Sequence, residues 1–233
     1  MQIGYCWIKR NSKIHNIFIK DTMGKIFNKK KVKFIKKRST YIGKNVKFGE
    51  NVIIEPDNYI DGDCYIADNC HLYPNNYITD CKIGKNCSLF SSHLENSIIK
   101  DDVTIGPFAR IRPHSIIYDK VKIGNFVEIK NSIIKSECKI SHLAYVGDCD
   151  MGEKCNIGCG VIFANYNGKT KSRTRVGNHV FIGSNCNIIA PVVIDSNSYI
   201  CAGTTVTDKV ADGDFVIGRV RQENKAKRAK KYW

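Results

Sequence analysis

The 233-residue sequence contains no run of eighteen apolar residues, no secretory signal, no Cys-x-x-Cys pair and no glycine-rich phosphate loop. The first two absences give no reason to expect a membrane span or export. The third, with an odd total of eleven cysteines, argues against a disulfide framework or a zinc site and fits a reducing cytoplasm. The fourth removes the usual cradle for a nucleoside triphosphate. Platforms of interleaved aromatic and basic side chains are missing too, so the net charge of +15 is not read as a nucleic-acid surface. That charge sits at the two ends. Residues 1–38 hold twelve Lys/Arg against Asp21, residues 219–233 hold seven against Glu223, and the stretch between is close to neutral. Basic ends of this kind are solvated or meet a partner.

What is present is a period of six. The aliphatic or aromatic leaders Ile42, Phe48, Ile54, Ile60, Ile66, Leu72 and Ile78 follow one another without a slip, as do Ile105 to Ile129 and Val176 to Val206. Between these runs Ile134, Ile140, Val146, Met151, Ile157 and Phe163 keep the rhythm with five-residue slips. An amphipathic helix would bring apolar positions back at three and four, so the pattern predicts a solenoid of short parallel strands. Three six-residue faces make a coil of about eighteen residues, with leaders stacked along the axis. The fourth residue after a leader also points inward and is small or slim. Cys64, Cys70, Cys87, Cys138, Cys155 and Cys186 fill it as compact hydrophobes. Glycines just after leaders, such as Gly43, Gly84 and Gly183, are expected where the backbone bends sharply.

The organisation is one elongated domain. Residues 1–38 lack the hexad, and Ile14, Ile17, Phe18, Met23, Ile26 and Phe27 suit an apolar helical stripe capping the first coil, an interfacial helix being the alternative. The solenoid is assigned to 39–218, with coils from about Tyr41 to Thr207, and the basic tail to 219–233, helical at first. One polar insertion, Asn167–Arg175 (NGKTKSRTR), interrupts the coils; loops on a rigid scaffold commonly carry ligand contacts.

Within residues 106–222 the blocks GPFARIRP, GNFVEIKN, SHLAYVGD, NIGCG, ANYNGKTK, FIGSN, APV, AGTTVT and GRVRQ follow in order. Together they resemble the acetyltransferase (C-terminal) domain of the bifunctional enzyme family that makes UDP-N-acetylglucosamine. Members acetylate glucosamine-1-phosphate with acetyl-CoA and then uridylylate the product. The resemblance implies a left-handed parallel β-helix of hexapeptide repeats, which the period alone does not fix, and a homotrimer with sites between subunits. The family's uridylyltransferase half has no counterpart here. A stand-alone acetyltransferase is therefore expected, with uridylyl transfer on a separate polypeptide. No metal is expected, because the family's known metal sites belong to the missing half.

The resemblance assigns roles that the chemistry supports. His142 in SHLAY matches the general base, and an imidazole titrating near neutrality suits removal of a proton from the attacking amine. Arg112, Lys130 and Lys171 match the phosphate and sugar contacts, as a dianion requires, with Tyr145 and Asn156 on the sugar hydroxyls. Asn165, Tyr166, Ser184, Ala202, Arg219 and the backbone at Cys159 match the acetyl-CoA contacts. Asn165 and Ser184 can orient the amine or the thioester and steady the oxyanion, and Arg219 can pair with a coenzyme A phosphate. An acyl-Cys159 intermediate is a further alternative. Arg112 and Lys130 lie one coil apart and should stack. Lys130 and His142 lie two faces apart, awkward for one chain but not for a pocket between subunits. Two alternatives remain at this stage: another amino-sugar phosphate, such as galactosamine-1-phosphate, and a non-catalytic scaffold that recruits a uridylyltransferase through its basic ends.

Overall fold

A computed structural model describes residues 31–231. The expected capping stripe of Ile14 to Phe27 lies outside the described residues. Within them the leaders become the inward residues of strands mostly two or three residues long, paired in parallel one coil on. Ile53 pairs with His71, His71 with Ser88, Ser88 with Thr104 and Thr104 with Lys122. The result is a three-faced parallel solenoid. One face is a nine-stranded sheet from Lys47–Phe48 to Val193–Ile194. The other two merge into a nineteen-stranded sheet, because two nine-residue strands, Lys122–Lys130 and Lys139–Gly147, run unbroken around the corner between them.

The core is a single column. Ile54, Ile60, Ile66, Leu72, Ile78, Ile105, Ile111, Ile188 and Ile200 are completely buried, and each such side chain contributes about 2 kcal/mol through burial. All six cysteines of the small inward slot are buried free thiols. Most reach the carbonyl of the following coil: Cys70 Sγ lies 2.9 Å from the Gly84 carbonyl, Cys87 Sγ 3.0 Å from that of Lys100, and Cys138 Sγ 3.0 Å from that of Gly152. Burial pushes the neighbouring inward thiol of Cys81 up to about 12. Where the slot holds Asn58 and Asn76, the amides satisfy one another, Asn76 Nδ2 donating to Asn58 Oδ1 at 2.9 Å.

The corners revise the reading of the glycines. Left-handed backbone falls at the third residue after the leader, on Asn51, Asn69, Asn86, Asp102, Asn185 and Asn197 (φ 56–60°). These residue types tolerate that conformation best after glycine. Their side chains form ladders of their own, with Asn86 Nδ2 donating to Asp102 Oδ1 at 3.0 Å. The glycine after the leader usually has ordinary φ and answers a different demand, closeness of the next coil. A Cβ on Gly183 would lie 2.4 Å from the Ala202 nitrogen, and one on Gly84 2.6 Å from the Lys100 carbonyl carbon.

Parallel pairing also reaches beyond the hexad at both ends. Lys33–Phe34 pairs with Ile53–Ile54, and Phe215–Val216 with Tyr199–Ile200. The tail after Arg219 begins irregularly instead of as a helix; among the described residues its one regular element is a 3-10 turn at Arg228–Lys231. The insertion falls between Ala164 and Thr174, so Asn156 pairs with Phe181 across a longer coil.

Two outcomes follow from this packing. Gly183→Ala is expected to lower stability by about 1–3 kcal/mol, read as an earlier urea midpoint, since neither backbone can move aside; an unchanged midpoint would contradict the close-approach account. Among the described cysteines, a bulky thiol reagent should label Cys159 alone in the native protein and the other nine only after unfolding, as mass mapping would show.

Candidate active site

Two edges of one face carry the candidate residues. The face begins at the corner containing Asn125 and His142 and ends beyond Lys130 and Gly147. At its far edge Arg112, Lys130 and Lys171 line an open cleft of about 590 Å³ with Pro113, Asn131, Asp148 and Arg173. Arg112 and Lys130 stand on adjacent coils, since Ile111 pairs with Ile129 and the Arg112 nitrogen donates to the Ile129 carbonyl at 2.8 Å. The stacking expected from their eighteen-residue separation is thus present.

Asp148 organises the cleft. Its carboxylate lies 3.3 Å from Lys130 Nζ, accepts from Asn131 Nδ2 at 2.6 Å and also accepts from Asn165 Nδ2. Burial works to raise its pKa, but the hydrogen bonds from Asn131, Asn165 and Lys130 outweigh that and hold it below the usual carboxylate range. An ionised carboxylate only accepts hydrogen bonds, so the Asn165 amide must turn its NH₂ towards Asp148 and its carbonyl elsewhere. Arg112 donates to Glu128 at 2.9 Å. Lys171 has no ion-pair partner among the described residues.

The near edge is a file. His142, Cys159, Ser184 and Ala202 each occupy the second position after a leader (Ile140, Ile157, Ile182 and Ile200), on successive coils at one corner, and all four are exposed. Backbone bonds tie the file together, from Asn185 nitrogen to the Cys159 carbonyl and from Gly203 nitrogen to the Ser184 carbonyl, both at 2.8 Å. Arg219 closes it by donating to the Ala202 carbonyl at 3.0 Å. With coils about 4.8 Å apart, His142 to Ala202 spans roughly 14 Å. The side chains along this stretch are small, with Gly160 and Gly203 at the left-handed corner positions. On the other side of His142 the same corner turns bulky and apolar: Phe108, Phe126 and Leu143 are 57–60% exposed.

His142 Nδ1 lies 2.9 Å from Asn125 Oδ1. An amide oxygen accepts, so the neutral tautomer that fits this contact donates from Nδ1 and has its lone pair on Nε2. From Lys130, twelve residues lead two faces on to His142. Because the prism has three faces, that returns the chain to the near edge of the face Lys130 leaves. The strand Lys139–Gly147 then crosses the face, and Lys130 pairs with Gly147. Five residues of strand, about 16 Å, and one coil step separate His142 from Lys130. Tyr145 lies between them, its hydroxyl over Gly147, where a Cβ would meet it at 2.5 Å.

The expected residues therefore divide. His142, Cys159, Ser184, Ala202 and Arg219 share the near edge. Arg112, Lys130, Lys171 and, unlike its expected donor-site companions, Asn165 share the far one. Tyr166, also expected beside the donor, is in the insertion, its hydroxyl donating to the Gly168 carbonyl at 2.6 Å. Asn156, expected on the sugar, lines a separate cleft with Lys122, Lys139 and Lys154. Sequence reasoning missed Asn125 and Asp148. Their signal was spacing: each stands seventeen residues, one short coil, before a chosen residue, His142 or Asn165. Among the described residues no cluster of His, Cys, Asp and Glu suits a metal ion, and no helix is long and apolar enough to cross a membrane.

Comparison with known proteins adds to this geometry. Residues 45–80 and 173–208 match the bacterial transferase hexapeptide family, and residues 93–167 match the GMPPB C-terminal domain. The chain is 47% identical over 196 residues to the bifunctional protein GlmU of Caldicellulosiruptor saccharolyticus, covering 84% of this chain and 42% of that protein. It is 44% identical over 216 residues to GlmU of Clostridium acetobutylicum, covering 91% of this chain and 47% of that one. The chain thus spans about half the length of the curated relatives it matches. Among solved structures, the UDP-N-acetylglucosamine acyltransferase from Campylobacter jejuni is 21% identical with a TM-score of 0.42, covering 75% of this chain and 68% of that one.

The Asp148 network sets a pH expectation. A carboxylate held below its unfolded pKa adds stability that is complete above about pH 4 and is lost as pH falls through the folded value. Asp148→Asn should lower stability at pH 7 and lose less of it than wild type between pH 7 and pH 3, measured as urea midpoints; parallel pH profiles would refute the assignment.

Proposed function

Because the chain is homologous over most of its length to about half of GlmU, we propose that it is an acetyl-CoA-dependent acyltransferase. Its reaction is N-acetylation of glucosamine-1-phosphate to N-acetylglucosamine-1-phosphate, a step towards UDP-N-acetylglucosamine. The observation that carries this reading is the complementary content of the two edges. One has a base with a free Nε2 at the head of a trough of small side chains ending in an arginine. The other has a cationic cleft sized for a sugar phosphate.

In this mechanism the acceptor's phosphate lies among Arg112, Lys130 and Lys171, charge-assisted donors suited to a dianion. The thioester lies along the Cys159–Ser184–Ala202 file, with Arg219 towards the phosphates of coenzyme A. His142 Nε2 takes a proton from the amine as its nitrogen bonds to the thioester carbonyl carbon. The Ser184 hydroxyl donates to the oxyanion that forms. Collapse breaks the carbon–sulfur bond, and the departing thiolate takes the proton from the imidazolium. Asn165, its NH₂ engaged by Asp148, presents its carbonyl as an acceptor. That supports a role in orienting the amine N–H and not in binding the oxyanion. Direct transfer leaves Cys159 no covalent task.

Because His142 and the cationic cleft sit at opposite edges of one exposed face, the site is read as completed by a second copy. The near edge of one protomer faces the far edge of the next, a heterologous contact that closes as a ring of three. The exposed Phe108, Phe126 and Leu143 beside His142 would be covered by such a contact. Donor and acceptor thus meet between protomers.

Release of free thiol from acetyl-CoA over a panel of hexosamine phosphates tests the activity. Glucosamine-1-phosphate should be the fastest acceptor, and faster turnover of galactosamine-1-phosphate would reassign it. His142→Ala is expected to cut the rate by about two to four orders of magnitude; a loss below threefold would remove His142 as base. Co-refolding inactive His142→Ala and Lys130→Ala chains in equal amounts should restore about a quarter of the sites, since random trimers join two intact edges at that frequency. No recovery would place the whole site within one chain.

A further inference from the structure

The insertion leaves the solenoid after Ala164 and rejoins it at Thr174. Its own bonds give it a shape. Asn167 Oδ1 accepts from the Lys169 and Thr170 nitrogens at 2.9 and 2.8 Å, and Tyr166 and Lys171 form an antiparallel bridge. These contacts lie inside the hairpin and leave its placement over the cleft undetermined. At its root the backbone is held by Ser172 nitrogen to the Asn165 carbonyl at 2.8 Å and Thr174 nitrogen to the Asp148 carbonyl at 3.0 Å.

One side chain adds the rest. Arg173 grips Asp150 with two prongs, Nε to Oδ2 at 2.8 Å and Nη2 to Oδ1 at 2.5 Å. Nη1 continues to the Asn131 carbonyl at 2.9 Å, on the preceding coil, and Nη2 approaches the Cys149 carbonyl at 3.4 Å. Hydrogen bonding from Arg173 in turn holds the Asp150 carboxyl below its usual range. The guanidinium thus bridges two coils and the loop, half-buried at the wall of the cleft. Lys171 stands two residues earlier in the chain. Both line the cleft together with Arg112 and Lys130.

We propose that Arg173 is a positioning residue: it fixes the insertion to Asp150 and Asn131 so that Lys171, the cation of the cleft without an ion-pair partner among the described residues, is held towards the acceptor's phosphate. This rests on the acceptor assignment above. The requirement is specific to arginine, because a lysine ammonium cannot make the planar two-pronged contact with Asp150 and still reach the Asn131 carbonyl. Arg173 directs four of its five N–H donors to protein acceptors, so its part in recognition is exercised through Lys171.

Steady-state kinetics on the full chain, with acetyl-CoA and glucosamine-1-phosphate, separate positioning from general structural damage. Arg173→Ala should raise the acceptor KM about tenfold or more, with kcat and the acetyl-CoA KM within about threefold of wild type, and Arg173→Lys should fall between. Exchanging the charges in the double variant Arg173→Asp, Asp150→Arg should recover at least part of the acceptor KM lost in either single variant. An independent reading needs no turnover: tryptic cleavage after Lys169 and Lys171 should quicken about tenfold in Arg173→Ala at unchanged solenoid circular dichroism. An acceptor KM within twofold of wild type in Arg173→Ala, or equal losses for both substrates, overturns the proposal. If wild type acetylates no amino-sugar phosphate, the acceptor assignment fails, and an unchanged cleavage rate would then overturn the positioning as well.

Discussion

Backbone hydrogen bonds run along the axis of this molecule, from Gly183 nitrogen to the Ile200 carbonyl or Arg112 nitrogen to that of Ile129, and hold each coil about 4.8 Å from the next. That spacing leaves no room for a Cβ at the residue following many leaders, and it forces side chains at equivalent positions into columns. The hydrophobic column is the familiar result. The asparagine ladder at the corner, the near-edge file from Asn125 to Ala202 and the Arg112–Lys130 stack are the same constraint acting on polar residues. Chemistry here is assembled by reading across coils, not along them.

Much of the fold was legible because the leaders are spaced for one purpose, inward burial, and Ile54, Leu72 or Ile188 have no competing role. The glycines were harder. Their type suggests positive φ, yet Asn and Asp three residues after the leader take that conformation, and the glycine's task depends on a coil not adjacent in sequence. The site was legible one residue at a time through the resemblance of its blocks, but its layout was not. Counting in sixes places His142 two faces from Lys130 and hides that, on a three-faced prism, they flank one face. Asp148 escaped notice because its importance arises from three partners, Lys130, Asn131 and Asn165, all about one coil away. Arg173 sat in a polar insertion read for ligand contacts, and its anchoring part shows only with Asp150 in place beside it.

The split of the candidate site has an electrostatic side. Arg112 and Lys130 each face a carboxylate, Glu128 and Asp148, so the cleft is less cationic at rest than its residues suggest. Under the proposed function, an arriving dianion would share these donors instead of filling a vacuum of charge, which favours a ligand whose phosphate is matched in position as well as in sign. Asp148 couples Lys130 to Asn131 and Asn165, so these residues belong to one hydrogen-bonded unit.

The thiols that pave the interior have a consequence for how this protein ages. Each is sealed against water by the coils on either side, and its neighbours in the column are held in place by the parallel ladders, so an oxidant has little access to them once the solenoid has closed. Oxidation is then a hazard of the unwound chain, whose slots are open to solvent and to one another. Protection is a matter of winding speed rather than of later repair.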